Sequence, residues 1–163
     1  MSVKLRLSVT QHASCRAKQR GYRDGDIELI NEFGEPVPEG VLLTRKRAED
    51  AMGELAQERK SVKRLSGATL RLGPQGSAPY PTDWSSEAEI VPRWGRRNDD
   101  GTWHLGPKET AIAIRILSQR IERLERLAGT FVPVANGRPL SVYRPGRRKM
   151  RRILRGRRER GIK

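Results

Sequence analysis

The stretch RLERLAGTFV at residues 123–132 decides how the chain is organised, because SVKRLSGATL at residues 61–70 repeats its pattern. When Gly129 is aligned with Gly67, identical residues coincide further back along both segments. These pairs are Leu127 and Leu65, Arg126 and Arg64, Gln119 and Gln57, Leu117 and Leu55, and Ala113 and Ala51. Because apolar residues recur at steps of three and four, each segment is predicted to end a long amphipathic helix that stops at a glycine.

A second set of glycines supports an internal duplication. Gly34 and Gly40 are six positions apart, as are Gly95 and Gly101, and an aromatic residue precedes the first glycine of each pair. We therefore predict an α+β fold in which one or more small antiparallel sheets are packed by helices, internally duplicated with approximate two-fold symmetry. Two independent helix–glycine–strand units of similar composition are the alternative interpretation.

Periodicity and turn residues predict the order of the elements. Val3, Leu5, Leu7 and Val9 alternate with polar residues, as in a half-buried strand. Five helices are predicted, each ending at a glycine: residues 10–21, 23–34, 45–67, 86–95 (interrupted at Pro92) and 107–129. Turns are predicted at residues 35–40 and 96–101, strands at residues 41–44, 68–72 and 102–105, and a hairpin around Asn136–Gly137 that joins residues 130–135 to residues 138–144.

Composition divides the chain into four parts. Residues 1–72 are the first α/β repeat with its N-terminal His/Arg helix, and residues 73–83, with three prolines and two glycines, are predicted as a linker. Residues 84–144 are the second repeat, which ends in the hairpin. Residues 145–163 form a basic C-terminal tail.

The net charge of +15 is concentrated at the end of the sequence. Residues 144–163 hold eleven Lys or Arg and one acidic residue, a charge of +10, which leaves +5 for residues 1–143. Such a segment is typical of proteins that bind the phosphate backbone of nucleic acid. The residues predicted to bind nucleic acid are Arg144, Arg147, Arg148, Lys149, Arg151, Arg152, Arg155, Arg157 and Arg158.

If the tail is helical, arginines surround most of the helix, and Met150, Ile153 and Leu154 form one small apolar patch that could dock on the body. This patch is too small to favour a membrane partner. A disordered, solubilising or targeting tail is the alternative interpretation.

Other features favour a cytoplasmic protein without a metal or cofactor. The sequence has no run of eighteen apolar residues and no apolar region typical of a signal peptide. Cys15 is the only cysteine, so it has no internal disulfide partner, and we expect it to be a small buried residue. His104 is expected to lie on a strand beside Trp103, without a chemical role.

One face of the first predicted helix carries groups suited to phosphodiester chemistry. His12, Arg16 and Arg20 follow one another at steps of four and therefore share that face. His12 could move the proton of a 2′-hydroxyl or a leaving group, and the two arginines could hold the phosphate. Tyr143 could carry a second proton or stack on a base. The same spacing is also typical of an ordinary solvated surface.

The phrase QHASCRAKQRGYRDGDIELI, with SVYRP and a basic run much later, resembles the small proteins grouped with BrnT- and RelE-like ribonuclease toxins. The matching positions are His12, Ala13, Arg16, Arg20 and Gly21 at the front, and Val142, Tyr143 and Arg144 at the back. The resemblance covers about the first 35 and the last 35 residues, and the middle of the chain departs from it. It implies a small antiparallel sheet packed by helices and metal-free RNA cleavage, often on translating ribosomes.

Three hypotheses follow for the function. The first is a basic nucleic-acid-binding protein of RelE/BrnT type, with RNA favoured over DNA. The second is an active metal-free endoribonuclease toxin that uses His12, Arg16, Arg20 and Tyr143. The third is a non-enzymatic subunit of a phage or mobile-element nucleoprotein assembly, and an acidic protein such as an antitoxin or an assembly subunit is a further candidate partner.

Overall fold

The computed structural model of the protein describes residues 11–23, 25–71 and 85–159, apart from the side chains of residues 12, 85, 86 and 157–159. The predicted strand at Val3–Val9 and the predicted linker at residues 73–83 lie outside the described residues. No helix in the described ranges is long and apolar enough to cross a membrane.

The described residues form six helices and seven short strands, so the predicted α+β class is confirmed. The helices are α1 (Gln11–Gln19), α2 (Asp26–Phe33), α3 (Arg45–Arg64), α4 (Ser85–Trp94), α5 (Pro107–Leu127) and α6 (Arg147–Glu159). The strands are β1 (Glu35–Val37), β2 (Gly40–Leu43), β3 (Thr69–Leu70), β4 (Arg96–Arg97), β5 (Trp103–His104), β6 (Thr130–Ala135) and β7 (Arg138–Pro139).

The chain divides into two compact units. Unit 1 consists of Met1–Met52 together with Arg123–Lys163, and unit 2 consists of Gly53–Glu122. The division falls within α3 and α5, so each unit contains residues from both predicted repeats. The boundaries predicted from composition separate two segments of similar sequence, and this division stays a prediction.

Unit 1 contains a four-stranded antiparallel sheet in the order β1-β2-β6-β7. The turn between β6 and β7 has positive φ at Asn136 (50°) and Gly137 (70°), as a tight hairpin with this dipeptide requires. Beyond β7, Tyr143 forms a bridge with Phe131, with hydrogen bonds in both directions at 2.8 and 3.1 Å. Helix α2 packs on β2 and β6, and α6 packs on β1.

Unit 2 contains a three-stranded antiparallel sheet in the order β3-β5-β4. Thr69 and Arg96 lie on either side of His104. Helix α4 packs on β3 and β5. Arg59, which interrupts the apolar stripe predicted for α3, donates a hydrogen bond to the Ser118 hydroxyl at 3.0 Å, so this position is partly buried without breaking the helix.

The two sheets follow one plan. In unit 1 the β1–β2 hairpin precedes α3, and β2 pairs with β6, the strand that follows α5. In unit 2 the β4–β5 hairpin precedes α5, and β5 pairs with β3, the strand that follows α3. The glycines that end the long helices have left-handed φ and make equivalent bonds. Gly129 donates to the Leu43 carbonyl and Gly67 to the Leu105 carbonyl, both at 2.7 Å. That the repeats arose by duplication stays an interpretation.

The structure corrects four local predictions. The predicted turns at residues 35–40 and 96–101 are shorter than expected, because their first residues belong to β1 and β4 and pair across each hairpin. Pro36 is tolerated in β1 because this strand lies at the edge of its sheet. Helix α4 continues through Pro92 to Trp94, and the Gly95 N–H donates to the Val91 carbonyl at 2.8 Å. Pro92 removes only its own N–H donor, and the helix ends two residues later. Cys15 is exposed, not buried, since Ala13 and Ala17 supply the buried positions of α1.

Candidate nucleic-acid interface

Helix α6 is docked on the sheet of unit 1 by one line of residues. Ile153 is 3% exposed and packs in a cluster with Val37, Leu42 and Phe131. Met150 is half-buried against the same cluster. Docking of the basic segment through Met150 and Ile153 therefore agrees with the predicted patch, whereas Leu154 is 36% exposed and faces away from it.

The other side of α6 is an arginine ridge, defined as the exposed residues Arg147, Arg148, Arg151, Arg152 and Arg155. Arg152 lies 3.9 Å from Glu39 in an ion pair exposed on both sides, which contributes less than about 1 kcal/mol. Within the described ranges, Arg147, Arg148 and Arg151 have no acidic partner. Arg157 and Arg158 continue the helix, but their side chains lie outside the described residues.

Tyr143 is half-buried beside this ridge, with two cationic groups on its ring. The Lys149 Nζ lies 5.1 Å and the Arg20 Cζ 5.6 Å from the ring centroid, both within the range of a cation–π interaction. Phe131 packs against Tyr143 edge-to-face, with centroids 5.7 Å apart. The fully buried Phe131 ring therefore fixes the position of the Tyr143 ring.

The end of α1 brings Arg20 to this position. Gly21 has φ of 78° and donates to the Lys18 carbonyl, while Tyr22 donates to the Ala17 carbonyl, so the helix closes with a Schellman motif. Arg20 follows the last helical residue, and one of its guanidinium nitrogens lies 3.4 Å from the Val142 carbonyl oxygen. The chain turn at Gly21 therefore sets Arg20 against the strand segment that carries Tyr143.

Of the four predicted catalytic residues, the structure brings Arg20 and Tyr143 together. Arg16 is exposed on α1. His12 lies in the first turn of α1, and its side chain is outside the described residues.

A charged cluster that the sequence analysis missed lies next to Arg144. Asp26 is completely buried; its carboxylate accepts two hydrogen bonds from Arg123, at 2.8 and 3.0 Å, and one from Arg126 at 2.6 Å. The backbone N–H of Arg23 donates to the same carboxylate at 2.8 Å. Arg144 donates in turn to the Arg126 carbonyl.

The pKa of Asp26 reflects these opposing effects. Burial would raise it, but the hydrogen bonds from the Arg23 backbone and from the Arg126 and Arg123 guanidiniums together bring it below its ordinary value. The aspartate therefore stays ionised and anchors the end of α5. The position of Asp26 directly after Gly25, at the start of a predicted helix, was the feature of the sequence that could have indicated this cluster.

No site for a metal was found among the described side chains, where no group of three or more His, Cys, Asp or Glu is suitably arranged. His104 lies on β5 beside Trp103, as predicted, with its Nδ1 2.9 Å from the Thr69 hydroxyl. Comparison of the chain with protein-family models, curated proteins and solved structures found no match.

Proposed function

We propose that the protein binds RNA through the arginine ridge of α6 and the adjoining group of Arg20, Tyr143 and Lys149. The observation that carries this proposal is the docked helix with exposed arginines, three of which have no acidic partner in the described part of the chain. Such a surface attracts a phosphate backbone and gives affinity with little sequence discrimination. RNA is favoured over DNA because α1 and the SVYRP segment resemble ribonuclease toxins, and we expect binding in the cytoplasm.

The test is a titration of labelled single-stranded RNA, followed by fluorescence anisotropy over a range of salt concentrations. Arg151→Ala/Arg152→Ala removes two charges from the ridge, and Arg96→Ala/Arg97→Ala removes the same number of exposed charges from β4. The slope of log affinity against log salt is negative, and we expect the ridge variant to make it shallower by about 1.4, because each of the two lost phosphate contacts removes roughly 0.7 on a single strand. The β4 variant should match the wild type.

Equal weakening by both double variants would mean that net charge alone drives association, and would rule out the ridge as the site. An acidic protein, such as an antitoxin or an assembly subunit, could engage the same arginines. A polyglutamate peptide of the same charge as the RNA represents an acidic protein in a competition experiment. The proposal requires the protein to bind the RNA more tightly than the peptide.

A second candidate function is metal-free RNA cleavage, favoured by the 5.6 Å approach of Arg20 to the Tyr143 ring. Arg20 would stabilise the charge that develops on the phosphate, and the Tyr143 hydroxyl would carry a proton. Incubation of RNA with the protein in EDTA should then yield fragments with 2′,3′-cyclic phosphate ends. Cleavage should be lost in Arg20→Ala, Tyr143→Phe and His12→Ala; intact RNA with the wild-type protein contradicts this function.

The third candidate, a non-enzymatic subunit of a phage or mobile-element assembly, has less support. Ile112 of α5 is 40% exposed, which is the kind of position that a protein partner would cover. Single exposed apolar residues are common on protein surfaces, so Ile112 does not by itself favour this role over RNA binding.

A further inference from the structure

The helical form of α6 depends on its docking. The helix has thirteen residues, eight of which are Lys or Arg, and its one acidic residue is at the end. Isolated helices of this length are marginal in water, and like charges at steps of three and four destabilise them further. The local sequence therefore opposes the helix, and the buried contact of Ile153 supplies what the local sequence lacks.

Docking also arranges the charges. Lys149, Met150, Ile153 and Gly156 are buried or half-buried along one side, which leaves the arginines on the other. A Cβ on Gly156 would lie 3.6 Å from the Pro38 side chain, so the helix approaches the β1–β2 turn closely at this point. From Arg147 to Arg155 the ridge is about 12 Å long, at a rise of about 1.5 Å per residue.

We propose that α6 binds the RNA backbone as a helix folded in advance, with Ile153 as a positioning residue that holds the arginines in register. This inference rests on the proposed RNA binding and concerns its mode. The opposite mode is a flexible polycation that orders only on the RNA and loses part of the interaction free energy in ordering. The two modes predict opposite effects on RNA affinity for a positive charge added at position 153.

Two neighbouring positions give a matched experiment on the full-length protein. Leu154→Lys adds a charge on the exposed side of the docked helix, and Ile153→Lys adds the same charge but removes the docking contact. For a docked ridge, Leu154→Lys should bind RNA at least as tightly as the wild type, and Ile153→Lys should bind about tenfold more weakly. For a flexible polycation, both variants should bind more tightly than the wild type, which would overturn the proposal.

A third variant guards against general unfolding of unit 1 in Ile153→Lys. Leu154→Pro interrupts the helix at an exposed position without changing charge or removing a core side chain. We expect weaker RNA binding and reduced far-UV helicity, with the thermal unfolding of the rest of the protein retained. Wild-type affinity in Leu154→Pro would overturn the docked mode while leaving RNA binding intact, whereas a wild-type protein that binds no RNA would remove the proposed function itself.

Discussion

Units 1 and 2 share a skeleton but differ sharply in charge. Each has a helix that ends at a glycine, a hairpin, and a third strand supplied from beyond a long helix. Unit 1 holds 23 Lys or Arg and 10 Asp or Glu, a net charge of +13, whereas unit 2 holds 11 and 9, a net charge of +2. Most of the excess positive charge of unit 1 comes from residues 144–163, which follow the helices and strands that the two units have in common.

The comparison extends to ion pairs at corresponding positions. Asp26, at the start of α2, pairs with Arg126, and Glu87, near the start of α4, pairs with Arg64. In unit 1 the Asp26 carboxylate is fully buried and lies 2.6 Å from Arg126, whereas in unit 2 Arg64 is 61% exposed and lies 3.5 Å from Glu87. The same arrangement therefore has a larger structural role in the unit that carries the candidate interface.

The largest effect is expected at the glycines after α2 and α4. A Cβ on Gly34 would collide with the Ile30 carbonyl and lie 2.6 Å from a Val41 methyl, and a Cβ on Gly95 would lie 2.6 Å from the carbonyl oxygens of Val91 and His104. Gly34→Ala and Gly95→Ala should each lower the free energy of unfolding by about 2 kcal/mol or more, as measured by urea denaturation.

The control for these substitutions is Gly53→Ala on α3, where a Cβ meets no atom within 4 Å. Because alanine is the better helix former, this variant should be more stable than the wild type by about 0.5–1 kcal/mol. A neutral effect in only one of Gly34→Ala and Gly95→Ala would break the equivalence of the two units.

A smaller effect separates the two ion pairs. Asp26→Asn should cost about 1.5 kcal/mol, because the two arginines that lose their buried partner are 28% and 37% exposed and can be hydrated. Glu87→Gln affects an exposed pair and should cost less than about 1 kcal/mol. Urea denaturation of both variants at neutral pH measures the difference. Equal costs would show that burial does not distinguish the pairs.

The pH dependence of the Asp26 contribution has a definite sign. Because the pKa of Asp26 is lowered in the folded protein, its stabilisation is complete above the unfolded-state pKa of about 4 and is lost as pH falls through the folded value. The difference in free energy of unfolding between wild type and Asp26→Asn should therefore shrink as pH falls below about 4. A difference independent of pH would contradict an ionised Asp26.

The smallest effect concerns the starts of the long helices. The Thr44 hydroxyl accepts a hydrogen bond from the Arg47 N–H at 3.1 Å, whereas the corresponding position before α5 is Gly106. Thr44→Ala should lower the free energy of unfolding by about 1 kcal/mol, and Thr44→Gly by a few tenths, because glycine is an acceptable N-cap. Thermal denaturation compares them, and the reverse order would argue against capping by the hydroxyl.

Sequence reasoning was most successful where a feature depends on neighbouring residues. The ends of the long helices at Gly67 and Gly129 and the hairpin at Asn136–Gly137 are confirmed, because each needs a left-handed backbone that these residues adopt readily. It was wrong about Cys15, whose small size favours burial only if the fold places it inward. Of the residues predicted for the site, Arg20 lies beside Tyr143 in the structure, and the catalytic and RNA-binding roles stay proposals.

The sequence by itself therefore determined the five helices that end at glycines, the tight hairpin, the apolar stripes and the position of the positive charge, since these depend on backbone preferences and periodicity over a few residues. Only the tertiary structure decided that β6 pairs with β2, that Asp26 meets arginines about a hundred positions away, and that α6 lies on the sheet through Ile153. Each depends on free energies of packing and desolvation between distant segments, which no local pattern specifies.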